Sequence, residues 1–187
     1  MPHMTDERVR AGLAREEDLS LLNEVSMKPA GVSHFLMKTI VIGLGNPILG
    51  DDGVGWKVAA EVKKRLPRNT PIDVEFLSLG GISLMEHLIS YERAILIDAL
   101  KSDRDAGSIS VSKLSEMPDY SAFHIASAHD TSLQNALKLV KELGAKLPDE
   151  VIVLGIATNQ VYDFSENLSP TVERAVPKAA EIVIGLL

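Results

Sequence analysis

Thr39 to Leu66 reads TIVIGLGNPILGDDGVGWKVAAEVKKRL. A short apolar run, Ile40 to Leu44, opens the stretch and is bounded by glycine. The chain then turns through Gly45-Asn46-Pro47 and reaches an acidic pair, Asp51-Asp52. Beyond Gly53 the apolar positions Val54, Val58, Val62 and Leu66 recur every four residues, which is one stripe of a helix. The unit is strand, glycine-rich loop with two carboxylates, helix. In an open α/β sheet the loop after the first strand is a ligand-binding position.

The rest of the chain repeats this alternation. Asp73 to Leu79 (DVEFLSL) reads as a second strand and ends in Gly80-Gly81, with a short helix over Ile82 to Ser90. Ala94 to Ile97 is a continuous apolar run, as expected of a strand buried on both faces, and it ends at Asp98. Ser108 to Leu114 alternates and is expected at a sheet edge. Residues 115 to 130 read as a loop. Thr131 to Leu143 reads as a helix stopped by Gly144, and Val151 to Ile156 as another buried strand. Ser169-Pro170 supplies a helix start, a capping residue and then proline at the first helical position. Pro177 is expected to kink or break that last helix. The order β-α-β-α-β-β-α-β-α predicts a three-layer α/β/α domain with a five-stranded, mostly parallel twisted sheet. Residues 1–36 are charge-rich and carry only a weak apolar periodicity, so they are expected to form an extension outside an α/β domain of residues 37–187.

Composition narrows the function. The 187 residues include no cysteine, which excludes disulfides, thiolate metal sites and a cysteine nucleophile, and fits a cytoplasmic setting. The net charge of −7 and an aromatic content of 4% argue against a nucleic-acid binder, which would need a basic surface and stacking side chains. No apolar run reaches the roughly 18 residues of a membrane span, and the start MPHMTDERVR has no signal-peptide core. A monomer is expected.

Three polar residues fall where parallel strands end. They are Asp52 in the first loop, Asp98 after the third strand and His129 before the third long helix. Two carboxylates and an imidazole can hold a divalent first-row metal and leave positions open for substrate. Each residue also has a plainer role open to it. Asp52 can cap the following helix, and His129-Asp130 can cap theirs. Asp98 is the hardest to explain so simply, because burying a carboxylate after an apolar strand is costly. His124 is a further candidate, as a group behind His129 or a substrate contact, and His87 reads as structural. The glycines do not form G-x-G-x-x-G, and the carboxylates would repel a pyrophosphate, so dinucleotide binding is disfavoured. No G-x-S-x-G nucleophile elbow occurs.

IVIGLGNPILGDDGVGWKVAAEV resembles the opening signature of the hydrogenase maturation endopeptidases. The resemblance continues through Gly80-Gly81 with Met85-Glu86, LIDAL around Asp98, SAHDTSL around His129, VLGI at 153–156 and LSPTVERAV at 168–176. Such enzymes trim the C-terminal tail of a nickel-iron hydrogenase large-subunit precursor. The resemblance implies that Asp52, Asp98 and His129 bind nickel, and that the nickel arrives with the loaded precursor rather than residing in the protease. The attacking group is then expected to be water. Ser78-Leu79 ahead of the Gly-Gly turn, where many members carry an acid, and Ala157-Thr158 after the VLGI strand depart from the family pattern. VIGLGNP also opens peptidyl-tRNA hydrolases, but the matching segment LGDDGVG lacks the histidine they need. A non-catalytic metal- or ligand-binding module is the remaining alternative.

Overall fold

The computed structural model describes residues 38–117, 133–159 and 164–187. In chain order the elements are β1 (Thr39–Leu44), a 3-10 turn (Gly50–Gly53), α1 (Val54–Arg65), β2 (Ile72–Leu77), α2 (Gly81–Leu88) and β3 (Arg93–Lys101). These are followed by β4 (Ile109–Lys113), a 3-10 turn at Leu114–Glu116, α3 (Leu133–Glu142), β5 (Glu150–Thr158) and α4 (Pro170–Leu186). The expected order is therefore the observed one. The five strands form one sheet in the order β2-β1-β3-β5-β4. All neighbours run parallel except β4, which lies antiparallel on the outside of β5, as its alternating sequence predicts.

Side chains along a strand alternate between the two faces of the sheet, and each face has its own core. Val41, Ile95, Ile97, Leu154 and Ile156 pack with the buried stripe of α1 (Val54, Val58, Val62) and of α4 (Val172, Ala179, Val183). Ile40, Ile42, Leu44, Ala94, Leu96 and Val153 pack with Leu84 and Leu88 of α2 and Leu133 and Ala136 of α3. Asp98 continues the series Ala94, Leu96, so its side chain stands on the α2/α3 face.

Three boundaries differ from expectation, each for a tertiary reason. β3 does not end at Asp98. It runs on to Lys101 because β5 continues alongside, pairing Asp98 with Gly155 and Lys101 with Thr158. β1 pairs with β3 only as far as Gly43 opposite Ile97, so Asp98 lies where β3 outruns its neighbour. β2 stops at Leu77 rather than Leu79, because the Leu77 carbonyl accepts both the Gly45 N–H (3.1 Å) and the Trp56 indole N–H (3.2 Å) and the chain turns away. Finally, α4 is not broken. It runs from Pro170 to Leu186 through Pro177. Pro177 and Glu173, whose carbonyl loses its donor, are both exposed, so water can take the freed acceptor while the buried stripe holds the helix.

Two fastenings set the ends of the sheet. At the amino edge, buried Arg93 donates from Nε to Glu150 Oε2 (2.9 Å) and from its guanidinium to the carbonyl of Leu186 at the end of α4. At the carboxyl edge, α1 starts on top of β1 and β3. A Cβ on Gly55 would lie 2.2 Å from the Leu44 oxygen and 2.3 Å from the Ile97 oxygen. Both are backbone atoms in the sheet and neither can give way. Gly55→Ala is therefore expected to lower stability by at least about 2 kcal/mol, within or above the overpacking range. Urea unfolding checks this, and a midpoint equal to wild type would contradict it.

Candidate functional site

The sheet order reverses between β1 and β3: from β1 the chain goes outward to β2, then crosses back to β3. The crevice at the carboxyl ends of those two strands is the topological switch point. The loop after β1 fills one side of it, and the turn Gly50–Gly53 packs against β3 as well as α1.

That loop is held by its own side chains. Asn46 Oδ1 accepts the Ile48 N–H (3.2 Å), which makes a local Asx turn. Asp52 Oδ2 accepts the Asn46 N–H at 2.6 Å and closes the loop on itself. Gly45, at φ 123°, lies directly on the Asp52 carbonyl, and a Cβ there would come within 1.9 Å of that oxygen. Asp52 does not cap α1. The N-cap is Gly53, with no side-chain hydrogen bond.

Asp51 points elsewhere. Its Oδ1 accepts the Ser169 N–H (2.6 Å) and its Oδ2 accepts the Ser169 O–H (2.8 Å). Ser169 is the N-cap of α4, and its own side chain caps nothing. A carboxylate from a loop 118 residues away thus takes up a donor at the helix start and places negative charge by the positive end of the dipole. The turn-shaping role expected of Asp51 is real but long-range. Sequence spacing carries no signal for it, since Ser169 already reads as an ordinary cap.

Asp98 is fully buried, and Asp52 is 4% exposed. The register explains why there is space beside Asp98. Its β5 partner Gly155 has no side chain, and Leu100 folds over that glycine instead. The structure thus brings the elements bearing Asp52 and Asp98 together on either side of the switch point. His129 and His124 lie outside the described residues. Among the described residues no group of three His, Asp or Glu side chains is placed to hold a metal. His87, at the end of α2, pairs through Nδ1 with Glu75 Oε2 on β2 (2.8 Å) and is structural, as expected. A cleft of about 500 Å³ between α1 and α4, walled by Lys57, Glu61, Lys64 and Glu173 among others, includes neither Asp52 nor Asp98.

The sequence model of the HycI family, described as hydrogenase maturation protease, matches residues 56–186. The chain belongs to that family. The match begins downstream of the opening motif, so that motif and the family match are separate observations with one outcome. A Methanocaldococcus jannaschii protein named for the same family is 30% identical over 152 residues, covering 78% of this chain and 94% of its own. The hydrogenase 2 maturation protease of Escherichia coli K12 is 27% identical over 154 residues, covering 81% and 91%. Among solved structures, the E. coli maturating endopeptidase HybD superposes with a TM-score of 0.62 at 25% identity, covering 79% of this chain and 90% of its own. The [NiFe] hydrogenase maturation protease HybD from Thermococcus kodakarensis gives 0.54 at 26%, covering 80% and 99%. This hydrogenase maturation endopeptidase therefore has the family fold, and its catalytic class is that of a protease.

The Asp51–Ser169 tie has measurable weight. Ser169→Ala keeps the backbone donor and loses the hydroxyl, an expected cost of about 1 kcal/mol. Asp51→Ala removes both acceptors at once and is expected to cost about 2–3 kcal/mol. The double variant should fall short of the sum, because the two residues share one interaction. Denaturant unfolding of the four proteins checks this, and strict additivity would show that the contact contributes nothing.

Proposed function

We propose that this endopeptidase removes the C-terminal extension of a [NiFe] hydrogenase large-subunit precursor once nickel has been inserted, and that Asp52, Asp98 and His129 hold the nickel the precursor carries. The observation that carries the reading is the buried Asp98 carboxylate at the switch point, beside the loop that presents Asp52. Two oxygen donors there, with an imidazole from the segment before α3, make a set suited to a divalent first-row ion with positions left for substrate. Burying carboxylates is costly unless a positive partner arrives to offset it. A cation brought by the substrate meets that condition, and none has to reside in the protease.

The chain's own groups divide the work. Asn46, through its backbone N–H, holds one oxygen of Asp52 and so orients the carboxylate. Gly155 leaves the space beside Asp98 free of a competing side chain. Nickel bound between them supplies a Lewis acid for the scissile carbonyl and marks the precursor as loaded. Water adds its oxygen to the carbonyl carbon, the C–N bond breaks, and the proton passes to the leaving amine. A cytoplasmic monomer is part of the same reading. No helix among the described residues is long and apolar enough to cross a membrane.

The test is cleavage of nickel-loaded and nickel-free precursor by the wild-type chain and by Asp52→Ala, Asp98→Ala and His129→Ala. Release of the tail is expected only from loaded precursor. Each substitution is expected to slow it by at least about a hundredfold, the upper end of the range for residues that merely support metal ligands. Cleavage indifferent to nickel or to Asp98→Ala would sink the mechanism.

A further inference from the structure

Eight large apolar side chains are exposed among the described residues: Ile48, Leu79, Ile82, Ile89, Leu139, Leu143, Phe164 and Leu187. Four of them stand on loops at the carboxyl edge of the sheet. Ile48 (49% exposed) lies in the loop after β1, Leu79 (37%) and Ile82 (49%) flank the Gly80-Gly81 turn after β2, and Phe164 (88%) follows β5. Backbone contacts join them. Leu49 and Ser165 form a parallel bridge, with the Ser165 N–H donating to the Ile48 carbonyl (3.1 Å) and the Gly50 N–H to the Ser165 carbonyl (2.7 Å). That register sets Phe164 beside Ile48. On the other flank, the Ser78 hydroxyl donates to the Gly45 carbonyl (2.7 Å), and Gly45 itself rests on Asp52. Leu79 is thus one residue from a group fastened to the Asp52 loop, and Ile48 is four residues from Asp52 within that loop.

We infer that Ile48, Phe164, Leu79 and Ile82 form an apolar rim that grips apolar side chains of the substrate polypeptide next to the bond being cut. This rests on the function proposed above and deepens it by naming the chemistry of the bound segment. An endopeptidase must hold the chain on at least one side of the scissile bond, and here the surface continuous with the Asp52 loop is apolar. Leu79 is decisive for the class of residue accepted. It occupies the position just ahead of the Gly-Gly turn, where an acid would select a basic side chain. Leucine there offers no charge to pair with and favours a hydrocarbon partner. Exposed aromatic and aliphatic side chains on loops tied to a rigid sheet are the kind of anchors that dominate interfaces.

The experiment measures steady-state processing of nickel-loaded precursor by Leu79→Asp, Ile82→Asp and Phe164→Asp, with Leu143→Asp as the control. Leu143 is 78% exposed but lies beyond the end of α3, at the opposite edge of the sheet. Each rim variant is expected to raise KM about tenfold, the equivalent of losing one good contact, while kcat stays within about twofold. Leu143→Asp should change neither. Circular dichroism confirms folding, and all four side chains are exposed enough to accept a carboxylate. A KM within about twofold of wild type for the rim variants overturns the inference, provided the wild-type chain processes the precursor and Asp98→Ala does not. A wild-type chain that leaves loaded precursor intact counts instead against the function itself. Sedimentation of the enzyme alone separates the remaining outcome: if wild type self-associates and Phe164→Asp abolishes that, the rim is a contact between two copies and the inference fails.

Discussion

The carboxyl edge of this protein depends on how closely the first turn of α1 lies against the ends of β1 and β3. Gly55 touches the carbonyls of Leu44 and Ile97 at a distance that excludes any side chain. That approach pulls the preceding turn, Gly50–Gly53, down onto β3, and with it the two carboxylates. Were the helix start a few ångströms higher, Asp52 would stand in solvent, and Asp98 would face a gap rather than a neighbouring loop. A van der Waals limit between backbone atoms thus sets the electrostatics of the site.

Within that frame the adjacent acids do unlike work. Asp51 reaches away to Ser169 and binds the loop to α4, while Asp52 turns inward and is oriented by Asn46. Neighbouring residues in a tight turn point in different directions, so one acidic pair can serve both stability and chemistry. This also limits what substitution can reveal, because loss of either acid disturbs the loop that carries both.

Much of the architecture was legible in the sequence because burial imposes a period. The four-residue spacing of Val54, Val58 and Val62 and the apolar runs at β1, β3 and β5 follow from which faces lose water. The errors lay where a distant segment decides. β3 continues past Asp98 only because β5 is there to pair with it. Pro177 leaves α4 intact only because its outer face is wet and its inner face packed. Asp98 was recognisable as a costly carboxylate after a buried run, whereas the partner of Asp51 was not, because no local rule connects residues 118 apart. The family match places the chain among maturation proteases, while the apolar rim is visible only once three separate loops are seen at one edge.

The Asp51–Ser169 contact has a consequence in time. A chain emerging from the ribosome N-terminus first presents β1, the acidic loop and α1 early. The acceptor is made long before its donor: Asp51 can be fastened only after nearly the whole chain has followed, when Ser169 and α4 arrive to cover the Val54, Val58 and Val62 stripe. A truncated or still-growing chain has the residues of the acidic loop but not the tie that holds it. The same contact that steadies the finished enzyme therefore leaves the acidic loop untethered in an incomplete one.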